Sequence, residues 1–335
     1  MSQLRLNPLN GKWVTIVAER GGRPTDFAPR ARDVELGPRR DCPFCPGHHD
    51  AEPEPVLERL SADGNWQVLV FPNKYPAFSG TERMSVRNLG PVHVQAAASG
   101  LHEVLVFTPR HDSTWATLDD DEITIIMAAL RDRFVAHCEL PHVRYTQAIV
   151  NQGREAGASL AHPHGQLLGT PFVPGEILDE ERAFARFEGG CVLCTTIAAE
   201  ESDESRVVYS DDHVMVVCPF WSGVPYEMLV MPRSHAGHIP DSSDEELFGV
   251  GRGIRNVLNN LNGLLGDVAY NLVFHTSPHQ HRDGHFHWHA HIFPKLSTVA
   301  GFERGTGVMI NITPPEAAAE QMNHIATQRI GATAS

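Results

Sequence analysis

The chain has 335 residues, of which 27 are basic and 41 acidic, and its formal net charge is −14. This length allows one large domain or two of about 170 residues, and the charge argues against broad binding to nucleic acid or to an anionic membrane. The first residues show no basic stretch followed by an apolar core, and apolar runs such as IIMAAL near residue 125 are too short to cross a membrane. We expect a cytoplasmic protein.

The chain contains an internal repeat. The first half reads CPFC (42–45), HEVLVFTPRH (102–111), an acidic-start helical pattern (119–138), YTQAIVNQG (145–153) and HPHGQLL (162–168). The second half reads CVLC (191–194), YEMLVMPRSH (226–235), a similar helical pattern (244–261), YNLVFHTSP (270–278) and HWHAHIF (287–293). His162 follows His111 by 51 residues and His287 follows His235 by 52. Such agreement indicates a duplication.

Each half alternates β-rich runs with one long amphipathic helix whose first turn is acidic, as helix N-termini favour. The fold class predicted is therefore α+β, with two half-barrels or open antiparallel sheets, each carrying a long helix. Residues 170–190, rich in Pro, Glu and Gly, are interpreted as the connection, which gives domains at 1–175 and 176–335. A short helix is expected over 314–329, after its prolines.

Two thiolates and two histidines recur at matching places in the halves. This donor set suits tetrahedral zinc, and a closed four-ligand site is structural. The alternative is a set of buried cysteines with surface histidines. Cys138 and Cys218 have no such partners and are interpreted as packing residues. The two predicted zinc sites are Cys42, Cys45, His111 and His162, and Cys191, Cys194, His235 and His287.

The stretch AHPHGQ (161–166) predicts a reactive histidine. In an extended chain His162, His164 and Gln166 share a face, and Pro163 favours that extended conformation. If zinc binds His162, the strand is fixed two residues before His164, and the imidazole of His164 can act as a nucleophile from a rigid position. Gln166 would then be an uncharged hydrogen-bond donor to phosphoryl oxygens. The alternative is a structural polar strand.

The motifs GASLAHPHGQLL, CPFC, FPNKYPAF, HEVLVFTPRH, HAHIFP and GFERGTG, with Arg23-Pro24, resemble those of galactose-1-phosphate uridylyltransferases in the histidine-triad superfamily. The resemblance covers nearly the whole chain. It implies two histidine-triad-like halves, a homodimer with active sites at its interface, and ping-pong transfer of a nucleoside monophosphate from a nucleotide sugar to a hexose 1-phosphate. His164 would be the nucleophile and Gln166 its phosphoryl contact.

The resemblance also assigns further residues. It places zinc on the four first-half ligands and a further iron or zinc on four second-half residues. Lys74 and Arg154, with the backbone of the glycines around them, would help to receive the diphosphate. Nucleotide, phosphate and sugar contacts fall on Arg23, Asn73, Asn151, Ser159 and Glu303, and the further metal on Glu180, His275, His289 and His291.

Several features leave the substrate open. Asn73-Lys74 stands where better-known uridylyltransferases carry Asn-Asp, and GFERGTG and the second C-x-x-C resemble the branch that includes ADP-glucose phosphorylase. The first hypothesis is UDP-glucose:galactose-1-phosphate uridylyltransferase. The alternatives are a nucleotide-sugar phosphorylase of the ADP-glucose type and a non-catalytic, zinc-stabilised nucleotide-binding protein. HWHAH is interpreted as a metal-binding or supporting site rather than a second catalytic centre, and His279, His281 and His285 as solvated.

Overall fold

The computed structural model describes residues 2–18, 39–48, 52–280 and 284–333. Arg23 and His281, both named in the sequence predictions, lie outside these residues. No helix in the described ranges combines the length and apolarity that a membrane crossing requires.

The described residues form fifteen strands and six α-helices, and some of the connections between them contain short 3₁₀ turns. In chain order the strands are β1 (Gln3–Leu6), β2 (Trp13–Ile16), β3 (Leu57–Leu60), β4 (Trp66–Pro72), β5 (Arg87–Asn88), β6 (Val94–Gln95), β7 (Leu101–Val106), β8 (Tyr145–Gln152), β9 (His164–Thr170), β10 (Val207–Ser210), β11 (Val214–Val217), β12 (Met228–Pro232), β13 (Tyr270–His275), β14 (His289–Pro294) and β15 (Met309–Asn311). The helices are α1 (Asp120–Cys138), α2 (Gly175–Arg186), α3 (Val192–Asp203), α4 (Asp244–Leu265), α5 (Gly301–Thr306) and α6 (Pro315–Thr333).

The main sheet has ten described strands in the order β10-β11-β12-β14-β13-β8-β9-β7-β4-β3. Its two halves carry the same arrangement: β3-β4-β7-β9-β8 mirrors β10-β11-β12-β14-β13. They meet through the antiparallel pair β8–β13, in which Asn151 lies opposite Asn271. The predicted α+β class with two sheet-and-helix repeats is confirmed, and the repeats join edge to edge into one sheet.

One face of the sheet is covered by the two long predicted helices. Asp119 and Ser243 each accept a hydrogen bond from the backbone N–H three residues on, which forms a capping box at the start of α1 and of α4. The helices pack on each other closely at Gly251, where an added Cβ would lie 2.5 Å from Ile123. Alternate residues of the central strands, such as Ala148 and Val150 of β8, point into this core.

The opposite face carries the polar groups of the site. In the first half Cys42 and Cys45 pack over β4 and β7, and in the second half α2 and α3 cover β11 and β12. The expectation of a plain connection over residues 170–190 is incomplete, because α2 occupies Gly175–Arg186. This helix buries Ile177 and Phe184 on one side, which the Pro, Glu and Gly content of the segment obscured. The helix predicted over 314–329 is confirmed as α6 and runs further, to Thr333.

Candidate active site and metal centres

His164 begins β9 on the face of the sheet away from the long helices. Its ring lies 2.8 Å, through Nδ1, from the carbonyl oxygen of His162. A carbonyl can only accept, so Nδ1 donates and the proton-free lone pair is on Nε2. His164 is 6% exposed, and burial lowers the pKa of its imidazole, against the raising effect of that hydrogen bond. The neutral ring with a defined tautomer is the form that can act as a nucleophile.

β9 holds this ring because it runs between β7 and β8. His164 lies opposite Val106, and Gln166 opposite Val104 and Ile149. Gly165 faces the helix side, where an added Cβ would lie 3.1 Å from both Phe107 Cζ and the Ile149 carbonyl oxygen. A glycine at this position therefore lets the strand lie close against the core while its two polar neighbours face outward.

Gln166 is oriented by His102, a residue that the sequence interpretation did not select. His102 Nδ1 accepts a hydrogen bond from the Ala77 backbone N–H at 3.2 Å, so its Nε2–H donates to Gln166 Oε1 at 2.8 Å. The amide NH₂ of Gln166 is thereby left available as a donor. The alternation of side chains along a strand could have indicated this role. His102 lies two residues before Val104 on the same face of β7, and Val104 lies opposite Gln166.

The predicted substrate contacts are distributed along this face and beyond it. Asn73 follows β4, with Nδ2 3.3 Å from His102 Nε2. Asn151, on β8, accepts a hydrogen bond from Asn271 at 2.7 Å, and Ser159 is exposed in the loop before β9. Glu303 lies in α5, where its carboxylate accepts from the Ala300 N–H at 3.0 Å. Its described hydrogen bonds do not reach β9.

The four ligands predicted in the first half converge. Cys42 Sγ lies 3.6 Å from His162 Nδ1, and Cys45 Sγ lies 3.4 Å from His111 Nδ1. His162 Nε2–H donates to the Thr108 carbonyl at 2.7 Å, which leaves Nδ1 as the ligand atom. All four are buried. Burial, followed by the neighbouring Cys42, raises the pKa of the Cys45 thiol to about 11, and a bound cation would stabilise the thiolate that burial disfavours. The donor set and geometry fit a tetrahedral metal ion.

The second-half cluster repeats this geometry on α3 and the loops beside β12 and β14. Cys191 Sγ and Cys194 Sγ each lie 3.5 Å from His287 Nδ1, and Cys194 Sγ lies 3.6 Å from His235 Nδ1. His235 Nε2–H donates to the Gly284 carbonyl at 2.8 Å. This cluster is more exposed than the first, since only His287 is buried. It too could hold a metal ion.

A third cluster combines a carboxylate with three imidazoles. Glu180 of α2 lies 2.9 Å from His275 Nδ1 and 3.7 Å from His289 Nε2, and His291 lies beside both rings on the same sheet face. His289 Nδ1–H donates to the His287 carbonyl at 2.9 Å, which repeats the His164 geometry in the other half. Burial opposes protonation of His275, but Glu180 raises its pKa, whereas burial lowers that of His289 to about 4. The donor set fits a borderline metal such as zinc or iron.

Comparison with known proteins identifies the family of this chain. The family model for the N-terminal domain of galactose-1-phosphate uridyl transferase matches residues 1–174, and that for the C-terminal domain matches residues 178–328. The chain belongs to the galactose-1-phosphate uridylyltransferase family. It is therefore a nucleotidyltransferase enzyme.

Individual members of this family are similar over nearly their whole length. ADP-glucose phosphorylase of Arabidopsis thaliana is 31% identical over 331 residues, which cover 96% of this chain and 93% of that protein. Galactose-1-phosphate uridylyltransferase of Thermotoga maritima is 28% identical, with 96% and 98% covered. A crystal structure of the Arabidopsis ADP-glucose phosphorylase with bound ADP-glucose has a TM-score of 0.80 at 28% identity, with 96% and 99% covered.

Two expectations outside the family motifs need correction. His279, expected to be solvated, is 7% exposed, because its backbone N–H donates to the Arg144 carbonyl and its ring bonds Thr146. Cys138, expected to be a packing residue, lies partly exposed with its Sγ 3.1 Å from His279 Nδ1. His285 is exposed, as expected.

Proposed function

We propose that the chain transfers a nucleoside monophosphate between hexose 1-phosphates through a covalent intermediate on His164. The observation that carries the proposal is the imidazole of His164: its Nδ1–H is bonded to the His162 carbonyl at 2.8 Å, which directs the lone pair to Nε2. An imidazole so fixed is prepared to attack phosphorus without first losing a proton.

The transfer takes two steps. In the first, His164 Nε2 attacks the α-phosphorus of a nucleotide sugar; an N–P bond forms, the P–O bond to the β-phosphate breaks, and hexose 1-phosphate leaves. In the second, a phosphate oxygen of the acceptor attacks the same phosphorus, and the N–P bond breaks to regenerate neutral His164. Gln166, held by His102, donates its amide N–H to the phosphoryl oxygens during both steps.

Substrate binding is assigned on the family resemblance. Asn151 lies on β8, next to β9, and Asn73 follows β4, one strand beyond β7, with its side chain beside His102. These positions support their assignment to nucleotide and phosphate. Ser159 precedes β9 and would contact phosphate with Arg23. Glu303 is assigned to the sugar. The exposed Lys74 and Arg154 supply positive charge near the phosphates of the donor.

The metal clusters are proposed to hold zinc in both Cys₂His₂ sites and iron or zinc at Glu180, His275, His289 and His291. The thiolate and imidazole donors at tetrahedral spacing support zinc. When bound, the metals supply structural cross-links rather than chemistry. Their protein ligands then hold the loop at Cys42 and the residue His162 in place, which positions His164 two residues further on.

UDP-glucose with galactose 1-phosphate is the first substrate pair that we propose. A second candidate is phosphorolysis of ADP-glucose, in which inorganic phosphate replaces the hexose 1-phosphate as acceptor. The specific observation in its favour is the 31% identity to the Arabidopsis ADP-glucose phosphorylase.

The test is the intact mass of the protein after brief incubation with UDP-glucose or with ADP-glucose. We expect a UMP adduct on the wild type and none on His164→Asn. His93→Asn, at an exposed histidine outside every described metal cluster, is the matched control and is expected to keep the adduct. An AMP adduct in place of UMP would select the phosphorylase, and an adduct that survives in His164→Asn would exclude His164 as the nucleophile.

Homodimer formation and a cytoplasmic location remain predictions. The molar mass in solution, measured by light scattering on the eluting protein, tests the first.

A further inference from the structure

Three metal-ligating side chains outside the sites above converge at the end of α1. Cys138 is the last residue of that helix, His238 precedes a 3₁₀ turn at Ile239–Asp241, and His279 follows β13. Cys138 Sγ lies 3.1 Å from His279 Nδ1 and 3.8 Å from His238 Nε2, and the two ring nitrogens are 3.2 Å apart. We propose that these three side chains bind Zn²⁺ in a further site, which does not depend on the proposed function.

The spacing of the three atoms suits a tetrahedral ion. With Zn–S and Zn–N bonds of ordinary length, a tetrahedron has S···N edges of about 3.6 Å and N···N edges of about 3.3 Å. The observed edges lie within half an ångström of these values, as do those of the Cys42 cluster. One ion can therefore reach all three atoms with small side-chain adjustments. The fourth ligand comes from outside these three residues.

A chain of hydrogen bonds fixes the tautomer of His279. The carboxylate of Glu103 can only accept, so His137 Nε2–H donates to it at 3.0 Å. His137 Nδ1 then accepts from the Thr146 hydroxyl at 3.0 Å, and Thr146 Oγ1 accepts from His279 Nε2–H at 2.8 Å. The lone pair of His279 Nδ1 is thus directed at Cys138 and His238. In metal sites, the second ring nitrogen of a ligand histidine is typically held by hydrogen bonds that lead to a carboxylate.

The start of this chain is held firmly. Arg133 forms two hydrogen bonds with Glu103, at 2.9 and 2.6 Å. Against the effect of burial, the bonds from His137 and Arg133 lower the pKa of Glu103, which keeps it a carboxylate. Glu103, His137, Thr146 and His279 are all buried, so their mutual orientation is maintained by packing as well.

The site joins the two repeats. Cys138 belongs to the first repeat, whereas His238 and His279 belong to the second, and all three lie on the helix side of the β8–β13 junction. Thr146 and Asn151 are five residues apart on β8, about 17 Å by strand rise, and face opposite sides. The ion would therefore cross-link the repeats at a place separate from His164. Binding converts the Cys138 thiol to a zinc thiolate and releases its proton to solvent.

The experiment counts zinc ions per chain by native mass spectrometry. Cys138→Ala and His279→Ala are each expected to carry one ion fewer than the wild type. Cys218→Ala, which removes a buried cysteine outside every described cluster, is expected to carry the wild-type number. If the first two variants fold and keep the wild-type number, Cys138 and His279 form a hydrogen-bonded pair without metal and the proposal is wrong.

A second measurement does not require these variants to fold. Wild-type protein is treated with a chelator at a concentration that leaves the buried Cys218 unreactive. Peptide mass spectrometry then measures the rate at which Cys138 is alkylated. Added Zn²⁺ is expected to slow the reaction of Cys138, and Thr146→Val, which removes the hydrogen-bond partner of His279, is expected to need about tenfold more Zn²⁺ for the same protection. A rate for Cys138 that Zn²⁺ does not change would overturn the proposal.

Discussion

His102 shows how one residue to which the sequence motifs assigned no role sets the orientation of a proposed catalytic group. Replacement by Leu removes the N–H that Gln166 Oε1 accepts, so the amide of Gln166 is free to rotate away from the phosphoryl oxygens. Loss of one such positioned hydrogen bond corresponds to about a tenfold decrease in kcat, with KM little changed. Steady-state kinetics on the substrate pair measures both constants.

The controls separate positioning from folding. His102→Gln retains an N–H donor on β7 and is expected to recover part of the activity. His93→Leu changes an exposed histidine and should leave kcat unaltered. A variant His102→Leu with wild-type kcat, or one that loses activity only through a higher KM, would contradict this role.

Glu227 is expected to make the stability of the protein depend on pH, and it is not a ligand in any of the metal clusters. Its carboxyl group is buried in the turn before β12, and burial raises its pKa from 4.5 to about 7 although the N–H groups of Gly223 and Val224 donate to it. The folded state therefore retains a proton that the unfolded state has lost. Stability contributed by this group is present at low pH and decreases as pH rises towards 7, by about 3 kcal/mol in all.

Glu227→Gln replaces the titrating group by an amide whose oxygen can accept the same two hydrogen bonds. We expect the free energy of unfolding of the variant, relative to the wild type, to increase from pH 5 to pH 8. Urea denaturation at unit pH intervals measures this difference, and Glu245→Gln, at an exposed position of α4, is the control. A difference independent of pH would show that Glu227 is ionised throughout the range.

At the level of helices and strands, the sequence predicts those features that local sequence patterns determine. The acidic starts of α1 and α4 correspond to capping boxes at Asp119 and Ser243, and the β-rich runs form the central strands as expected. The two Cys₂His₂ clusters could be predicted because the duplication sets their members at equal spacing. Because the two halves are copies of one fold, residues at matching positions come together in the same way in each half.

What the sequence could not predict depends on contacts between distant residues. α2 was missed because its buried residues, such as Phe184, are few among charged ones. The Cys138, His238 and His279 cluster was missed because it draws on both repeats and has no duplicate. The pairing of β8 with β13 makes the sheet continuous and brings the residues of this cluster together. Strand pairing between repeats leaves no local pattern in the sequence from which it could be predicted.

At the scale of the whole molecule, the repeats share one sheet and one core although two family models describe them. Residues 1–175 alone would expose the β8 edge, where residues such as Ala148 and Asn151 pair with β13. They would also expose the surface of α1 that packs against Gly251 of α4. An open strand edge beside an apolar surface favours aggregation.

We therefore expect the fragment 1–175 to aggregate when produced alone and to form a soluble one-to-one complex when produced together with the fragment 176–335. Size-exclusion chromatography with mass measurement on the single fragments and on the co-produced pair distinguishes these states. The co-produced pair is the control, because it contains every residue of the chain and lacks only the bond between 175 and 176. If 1–175 alone is a monomer with a cooperative thermal transition, the first repeat is an independently folding domain, and the β8–β13 pair joins two finished sheets instead of completing one.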